Sequence, residues 1–468
     1  MKAPLALALL LAAPLSAALA PAQVIPWKPS TAPATAPQKP ATAQQYAQWR
    51  AEIKKALFIP DPLPAPAPHL YGTFSPTPGV IAERVSYASL YGMRIPAIVY
   101  RPEKLPAARV PAIVVVNGHG GDKTSWYAYY TGILYARAGA VVVTYDPIGE
   151  DERDIDRRSA SRAHDTFVPG DQLPQRLGGT MVADILLSVS YLLQRPDVDP
   201  ARVAILGFSM GSFHSALAGA IDPRVHAVIL SGGGNLGDDH SYWAQSPKVM
   251  CQSGPYKALS FLGDRAAIVY ALQQHRGPTL IMNGMVDPLI VGPNTFEPFF
   301  AELRDRTAAI SGTRTNLFET WWSPNAGHRP NFITRDGAIW LNRQLHFPNW
   351  TDASVQQLPQ IHISAWFARN PSTTARVPHS SGGDSRAMSG KNTAQLATAP
   401  IADPPGATIS NQTGEGGLFA VDANVPLIPR DQLQAIPDAD WQTHKADFIY
   451  PSFMDRIKAA AASDTHHP

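Results

Sequence analysis

The spacing of apolar residues changes period along this chain, and each change marks an element. Residues 46 to 57 carry apolar side chains at helical spacing, which predicts a short amphipathic helix ended by the Pro-rich stretch 60 to 68. Val85 to Leu90 and Ile95 to Tyr100 read as antiparallel strands around a turn at Tyr91-Gly92-Met93. Val110 to Val116 and Ala140 to Tyr145 are continuous β-branched runs, as strands buried on both faces require. A helix over Trp126 to Ala138 separates them, and a polar loop over 147 to 177 follows.

Alternation continues beyond that loop. Helical spacing over Met181 to Gln194 puts Val182, Ile185, Leu186, Val189, Leu192 and Leu193 on one face. Then come a strand at Arg202 to Leu206, a helix at Ser212 to Ile221 and a strand at Val225 to Leu230. Residues 233 to 276 break the rhythm and read as an inserted excursion or partial lid. Strands at Thr279 to Asn283 and Asn316 to Trp322, with helices at Thr295 to Arg306 and Ile333 to Gln344, complete the series. Strands and helices in alternation predict an α/β domain over 84 to 350, a mostly parallel central sheet with helices on both faces.

Both ends lack this pattern. Lys2 and the apolar run Leu5 to Leu15, followed by Ala20-Pro21-Ala22, predict a signal peptide over 1 to 22 and a periplasmic or secreted protein. That run is shorter than the ~20 residues of a membrane span, so no stable membrane insertion is expected. Residues 23 to 83 read as a Pro/Ala-rich linker and N-terminal segment. Residues 351 to 468 read as a C-terminal extension, loop-like over 369 to 417. Strand-like pieces at Ile361 to Phe367, Leu418 to Val421 and Phe448 to Tyr450 leave a small β appendage and an extended tail both open.

Composition narrows the functions. The net charge of +2 over 468 residues, with no basic block, gives no footprint for a nucleic-acid partner. Cys251 is the one cysteine, so no internal disulfide forms, and the thiol is expected to be a packing residue. Neither glycine cluster follows a phosphate-binding pattern, and no metal-ligand spacing stands out, so neither cofactor nor metal is expected. Oligomeric state stays open.

The chemistry concentrates at Gly207-Phe208-Ser209-Met210-Gly211. By glycine frequency alone, G-x-S-x-G arises by chance in roughly one chain in ten of this size. Here it joins a predicted strand to a predicted helix, which reads as a nucleophile elbow presenting Ser209. A serine hydroxyl needs a base, and the base needs a group that fixes its tautomer. Asp287 follows the strand Thr279 to Asn283, and His328 follows the strand near Asn316 to Trp322. Both lie where loops at the carboxyl ends of later strands would bring them to Ser209. Asp238 and Asp239 compete for the acid role, because they follow the preceding strand. His346 and His362 are weaker bases, and His214 reads as packed.

Negative charge developing on a substrate oxygen calls for N–H donors. One is expected from Met210. The other is expected from His119, with Gly120 as runner-up, in the loop Asn117-Gly118-His119-Gly120-Gly121. Trp126 and Trp243, with Trp321 and Trp322, offer a stacking surface for a sugar or aromatic ester if they are not core residues.

These residues resemble the α/β-hydrolase superfamily over about 84 to 347. Within it, Asp197-Val198-Asp199-Pro200 leading through Arg202-Val203 to the elbow is similar to acetyl-xylan-esterase-like and dienelactone-hydrolase-like members. The loop Tyr145 to Arg153 is similar to the Asp-Pro-Ile-Gly-x-Gly-Glu-Arg loop of exported bacterial esterases of that group. The chain departs in carrying Ser209 where dienelactone hydrolases use cysteine, in lacking the Arg-Gly-Gln motif of one acetyl-xylan-esterase family, and in carrying Asn117 at the first position of the usual His-Gly signature. The resemblance implies an exported serine esterase acting through an acyl-enzyme on a small-molecule or carbohydrate ester, acetylated sugars among them. A prolyl-oligopeptidase-like peptidase and a non-catalytic binding protein on the same scaffold are the alternatives.

Overall fold

The computed structural model describes residues 39–165, 172–285, 287, 289–290, 293–323, 326–369 and 418–464. The expected signal peptide and nearly all of the loop-like stretch 369 to 417 lie outside the described residues.

Nine strands form one sheet: β1 His69–Thr77, β2 Val80–Ala88, β3 Arg94–Pro102, β4 Val110–Val116, β5 Val141–Tyr145, β6 Val198–Phe208, β7 Ala227–Ser231, β8 Thr279–Gly284 and β9 Glu319–Ser323. Their order is β1-β2-β3-β5-β4-β6-β7-β8-β9. The first three join as an antiparallel meander, and β3 pairs antiparallel with β5. All remaining pairings are parallel. The fold is that of an α/β-hydrolase, with a mostly parallel sheet covered by helices on both faces.

The sheet begins earlier than the pattern suggested. β1 and the first half of β2 lie in the segment read as linker, because their half-exposed, alternating positions look weak beside the buried runs further on. The N-terminal helix is present as α1 (Ala43–Ala56), started by a capping box between Thr42 and Gln45. The strands β4, β5 and β7 are buried along their whole length, as their unbroken apolar runs require.

Helix α2 (Trp126–Ala138) and the helix Arg335–Leu345 cover one face. Helices α3 (Leu173–Gln194), α4 (Met210–Ile221) and Arg265–Arg276 cover the other. The excursion resolves into two parts. Residues 242–262 form short helical turns, whereas Arg265–Arg276 is an ordinary crossover helix between β7 and β8.

The C-terminal extension is neither a β appendage nor a tail among its described residues. Ile361–His362 pairs with Phe419–Ala420, but the chain turns helical at Ile363–Ala368, and Phe448 to Tyr450 leads into the helix Tyr450–Asp464. Period alone could not separate these short apolar runs into strand and helix. The extension adds Ile363, Trp366, Leu418, Val421, Leu433 and Trp441 to the core that α2 forms with the sheet. Trp366 donates from its indole N–H to the Val425 carbonyl at 2.7 Å, and Tyr130 donates to the Asp422 carbonyl at 2.9 Å. Replacing Trp366 by alanine is expected to cost about 3–5 kcal/mol, the usual loss for a buried large aromatic. Urea unfolding of the Trp366→Ala protein measures it, and an unchanged midpoint would mean that the extension docks without supporting the domain.

Candidate active site

Chain order reverses at the centre of the sheet. β5 lies on one side of β4 and β6 on the other, so the loops leaving the carboxyl ends of β4 and β6 diverge there and open a crevice. Ser209 leaves β6 at that crevice with φ 54° and ψ −119°, conformations of neither strand nor helix, and α4 starts at the next residue. Glycine is required on both sides. A Cβ on Gly207 would come within 2.4 Å of the Gly211 carbonyl oxygen, and one on Gly211 within 2.4 Å of the Val116 oxygen. The backbone N–H of Ser209 donates to the Ser231 carbonyl at the end of β7, at 2.8 Å.

The structure brings Ser209, His328 and Asp287 together. His328 Nδ1 lies 2.8 Å from Asp287 Oδ2, and His328 Nε2 lies 2.7 Å from Ser209 Oγ. An ionised carboxylate only accepts, so Nδ1–H donates to Asp287, and Nε2 is left to accept from the Ser209 hydroxyl. All three residues are buried, and Asp287 also accepts from the Leu289 N–H at 2.8 Å through Oδ1. Polar side chains at neighbouring strand ends hold these loops. Ser231 Oγ donates to the Arg329 carbonyl at 2.9 Å and accepts from the Asn331 N–H at 2.7 Å. Asn283 bonds both backbone groups of Gly233, at 2.9 and 3.0 Å, tying the end of β8 to that of β7.

The other acid candidates are elsewhere. Asp238 and Asp239 are exposed. Asp239 pairs with Arg265 at 2.7 Å, and Asp238 accepts from the His240 N–H in a local turn. His346 ends the helix Arg335–Leu345 in a left-handed conformation, and His362 lies in the short strand pair with Phe419. His214 is packed and donates from Nε2 to the Cys251 carbonyl at 2.9 Å.

The glycine-rich loop after β4 lies against the elbow, because a Cβ on Gly211 would also come within 2.5 Å of the Asn117 carbonyl oxygen. Asn117 donates from Nδ2 to the Tyr145 carbonyl at 2.9 Å, and Gly118 N–H donates to the Tyr127 hydroxyl at 2.9 Å. Met210 opens α4, so its N–H has no acceptor within the helix. The His119 ring is already engaged: Nε2 donates to Asp165 Oδ1 at 2.5 Å, and Asp165 Oδ2 accepts from Lys248 at 2.7 Å. Burial pushes the His119 imidazole below its ordinary value despite that carboxylate, so the ring is neutral. Burial would raise Asp165, but its bonds to His119 and Lys248 outweigh this and hold it well below the usual carboxylate range.

The expected tryptophan surface does not form at Trp126 or Trp243. Trp126 packs against Trp366 and Phe367, and Trp243 stacks on Phe213 at 5.1 Å with its N–H on Asn235. Both are core residues with their faces taken. Trp321 and Trp322 are half-buried, and Trp322 donates to Glu297 at 3.0 Å.

One cluster beneath the site went unread in the sequence. Lys123 is fully buried, and its ammonium meets Asp146, Asp151 and Glu152 at 2.7, 2.6 and 2.8 Å. Burial alone would lower the lysine, but the three carboxylates outweigh it and keep Lys123 charged. The signal was available: three of the four residues lie in the loop Tyr145 to Arg153, whose charge density is unusual for a segment between apolar strands. Asp151 also binds Arg430 of the extension at 2.5 Å, and Glu152 accepts from the Ala435 and Ile436 N–H groups, each at 2.9 Å. The glycine-rich loop, the Tyr145–Arg153 loop and the extension are thus one hydrogen-bonded unit.

Residues 169–352 match the model of the prolyl oligopeptidase family, a segment holding Ser209, Asp287 and His328. Among curated proteins, the chain is 26% identical over 149 residues to the thiohydrolase apmlB of Arthrinium phaeospermum, 32% of this chain and 42% of that protein. It is 26% identical over 223 residues to the acylamino-acid-releasing enzyme of Mus musculus, 44% of this chain and 28% of that protein. The chain thus spans less than half the length of these curated relatives. Similar solved structures include Methylesterase BT1017, with a TM-score of 0.49 at 22% identity, covering 66% of this chain and 64% of that one. Acetyl xylan esterase 1 from Thermoanaerobacterium sp. JW/SL YS485 aligns with a TM-score of 0.43 at 16% identity, covering 67% of this chain and all (100%) of that one. The sheet order is that of the α/β-hydrolase fold, and the family match over residues 169–352 covers the part of it that carries Ser209, Asp287 and His328.

If Asp287 orients His328, Asp287→Asn should lower kcat on an activated ester by about 10⁴-fold, because the amide favours the wrong tautomer. Asp239→Asn should leave kcat within a few-fold of the parent. Steady-state kinetics on both variants measures this, and equal losses would remove Asp287 from the acid role.

Proposed function

We propose that the protein is an exported serine esterase that cleaves carboxylic esters through an acyl-enzyme. The observation that carries this reading is the continuous relay from Ser209 Oγ through His328 to Asp287, at 2.7 and 2.8 Å. Ser209 Oγ attacks the ester carbonyl as its proton passes to His328 Nε2, and Asp287 stabilises the imidazolium. The oxyanion faces the N–H groups of Met210 and His119, with Gly120 as the alternative second donor. Collapse expels the alcohol, which takes the proton from His328. Water, deprotonated by His328, then attacks the acyl carbon and frees Ser209. No cofactor enters these steps. The export part of the proposal rests on Lys2 and the run Leu5 to Leu15.

Esters are favoured over peptides on two grounds. The loop that resembles those of exported bacterial esterases forms, with Lys123, the buried support of the glycine-rich loop. An alkoxide also leaves a tetrahedral intermediate more readily than an unprotonated amide nitrogen, so esters are the less demanding substrates for this relay. Acetylated sugars are the first substrate class to test. The prolyl oligopeptidase match over 169–352 keeps a peptidase as the second reading.

Ser209→Ala should lower kcat on p-nitrophenyl acetate by about a million-fold while binding persists. A panel of acetyl-sugars, lactones, aryl esters, longer acyl esters and peptide p-nitroanilides, run with this variant as control, ranks the substrates. Turnover of anilides above esters would favour the peptidase, and substantial esterase activity in Ser209→Ala would overturn the serine mechanism.

A further inference from the structure

His164 is fully buried on the three-residue turn Ala163–Asp165, close behind the glycine-rich loop. Its Nδ1 lies 2.9 Å from the Ile148 carbonyl oxygen. A carbonyl only accepts, so Nδ1 carries the proton and Nε2 carries a lone pair. That Nε2 is buried with no hydrogen-bond partner among the described residues. Leaving a buried acceptor unpaired is costly, so the position asks for an explanation. An imidazole whose far nitrogen is fixed by a carbonyl, with its near nitrogen bare, is the arrangement in which protein histidines bind metals.

The surroundings supply the rest of a ligand set. The His119 ring stands nearly perpendicular to that of His164, with centroids 5.0 Å apart. His119, His164, Asp165 and Cys251 each offer one ligand atom, and the four atoms lie within 4.8 Å of one another. Cys251 is buried on a π-helical turn, Val249–Ser253, a local widening of the helix that is frequent at functional sites. His214 holds that turn by donating to the Cys251 carbonyl. Lys248 takes only Oδ2 of Asp165, so Oδ1 faces the cluster through its bond to His119.

We infer that His119, His164, Asp165 and Cys251 form a tetrahedral transition-metal site, suited to zinc, distinct from the Ser209 relay. Two imidazoles, a carboxylate and a thiolate are a borderline-soft set of the kind zinc takes, at about 2.0–2.2 Å to nitrogen and oxygen and about 2.3 Å to sulfur. Binding moves the His119 proton from Nε2 to Nδ1, which frees Nε2 for the metal. The thiol of Cys251 loses its proton to solvent as the metal–sulfur bond forms, so one proton leaves for each metal bound. The metal would pin three segments behind the elbow: the glycine-rich loop, the loop carrying His164, and the π-helical turn. No group of the ester mechanism other than the backbone of His119 is shared.

The test is metal binding by the full chain, stripped with a chelator and titrated with zinc chloride against a chromophoric competitor. The parent and Ser209→Ala should each bind one equivalent, with a dissociation constant on the order of a micromolar or tighter. Cys251→Ser and His164→Gln should each weaken binding by about 100-fold or more. Cobalt chloride should give a near-ultraviolet thiolate-to-metal band that Cys251→Ser abolishes. Circular dichroism establishes that the variants are folded. The inference is overturned if the folded parent takes up no zinc, or if Cys251→Ser and His164→Gln bind it as tightly as the parent. Because zinc uptake is read without turnover, its failure leaves the esterase reading untouched, and failure of Ser209→Ala to lose activity leaves the metal site untouched.

Discussion

A strand can pass into a helix within one residue only if that residue leaves both regular conformations, and Ser209 does so at φ 54° and ψ −119°. Such a backbone is costly for a side chain with a Cβ, on the order of 1–3 kcal/mol, and persists only where the surroundings over-determine it. Here they do. Gly207 and Gly211 allow backbone approaches that a Cβ would block, and the Ser209 N–H is held by Ser231 on the neighbouring strand. The result lifts the hydroxyl above the end of the sheet, beside the start of α4. His328 and Asp287 then need only lie on loops of the same sheet edge to reach it. Ser231 and Asn283 keep those loops in place.

The second constraint is the buried charge around Lys123. Four ionisable side chains with no exposure would each be expensive alone, and removing one partner of such a group costs about 3–5 kcal/mol. Charge pairing of this kind fixes geometry more than it adds stability, because its bonds are directional and its alternatives are poor. It joins the glycine-rich loop, the loop after β5 and, through Arg430, the C-terminal extension. The extension is therefore part of the scaffold behind the site, and its packing onto α2 serves the same end.

The α/β alternation was legible because buried parallel strands such as β4 and β5 are unbroken β-branched runs, which little else in a chain imitates. Ser209, Asp287 and His328 were legible for a related reason. Each follows a strong strand signal, and the topology of such sheets dictates where those ends meet. Elements at the margins were harder. β1 alternates half-exposed residues after a Pro-rich stretch and reads as linker, and the extension's short apolar runs carry no period long enough to tell strand from helix. Whether Trp126 and Trp243 formed a stacking surface or core stayed open in the sequence, because aromatic content says nothing about which faces are already covered, and the structure makes both core. The Lys123 cluster went unread although the charged loop Tyr145 to Arg153 signalled it, and the cluster at His164 was missed because His119 and Cys251 are distant from it in sequence.

The central claim is that Ser209 is an activated nucleophile in this setting. Intact-protein mass spectrometry after treatment with a fluorophosphonate, followed by peptide mapping, tests it most directly. The account predicts a single adduct per chain, on the peptide carrying Ser209, formed far more slowly when His328 is replaced by alanine. An unlabelled folded protein, or an adduct on any other residue, would contradict it.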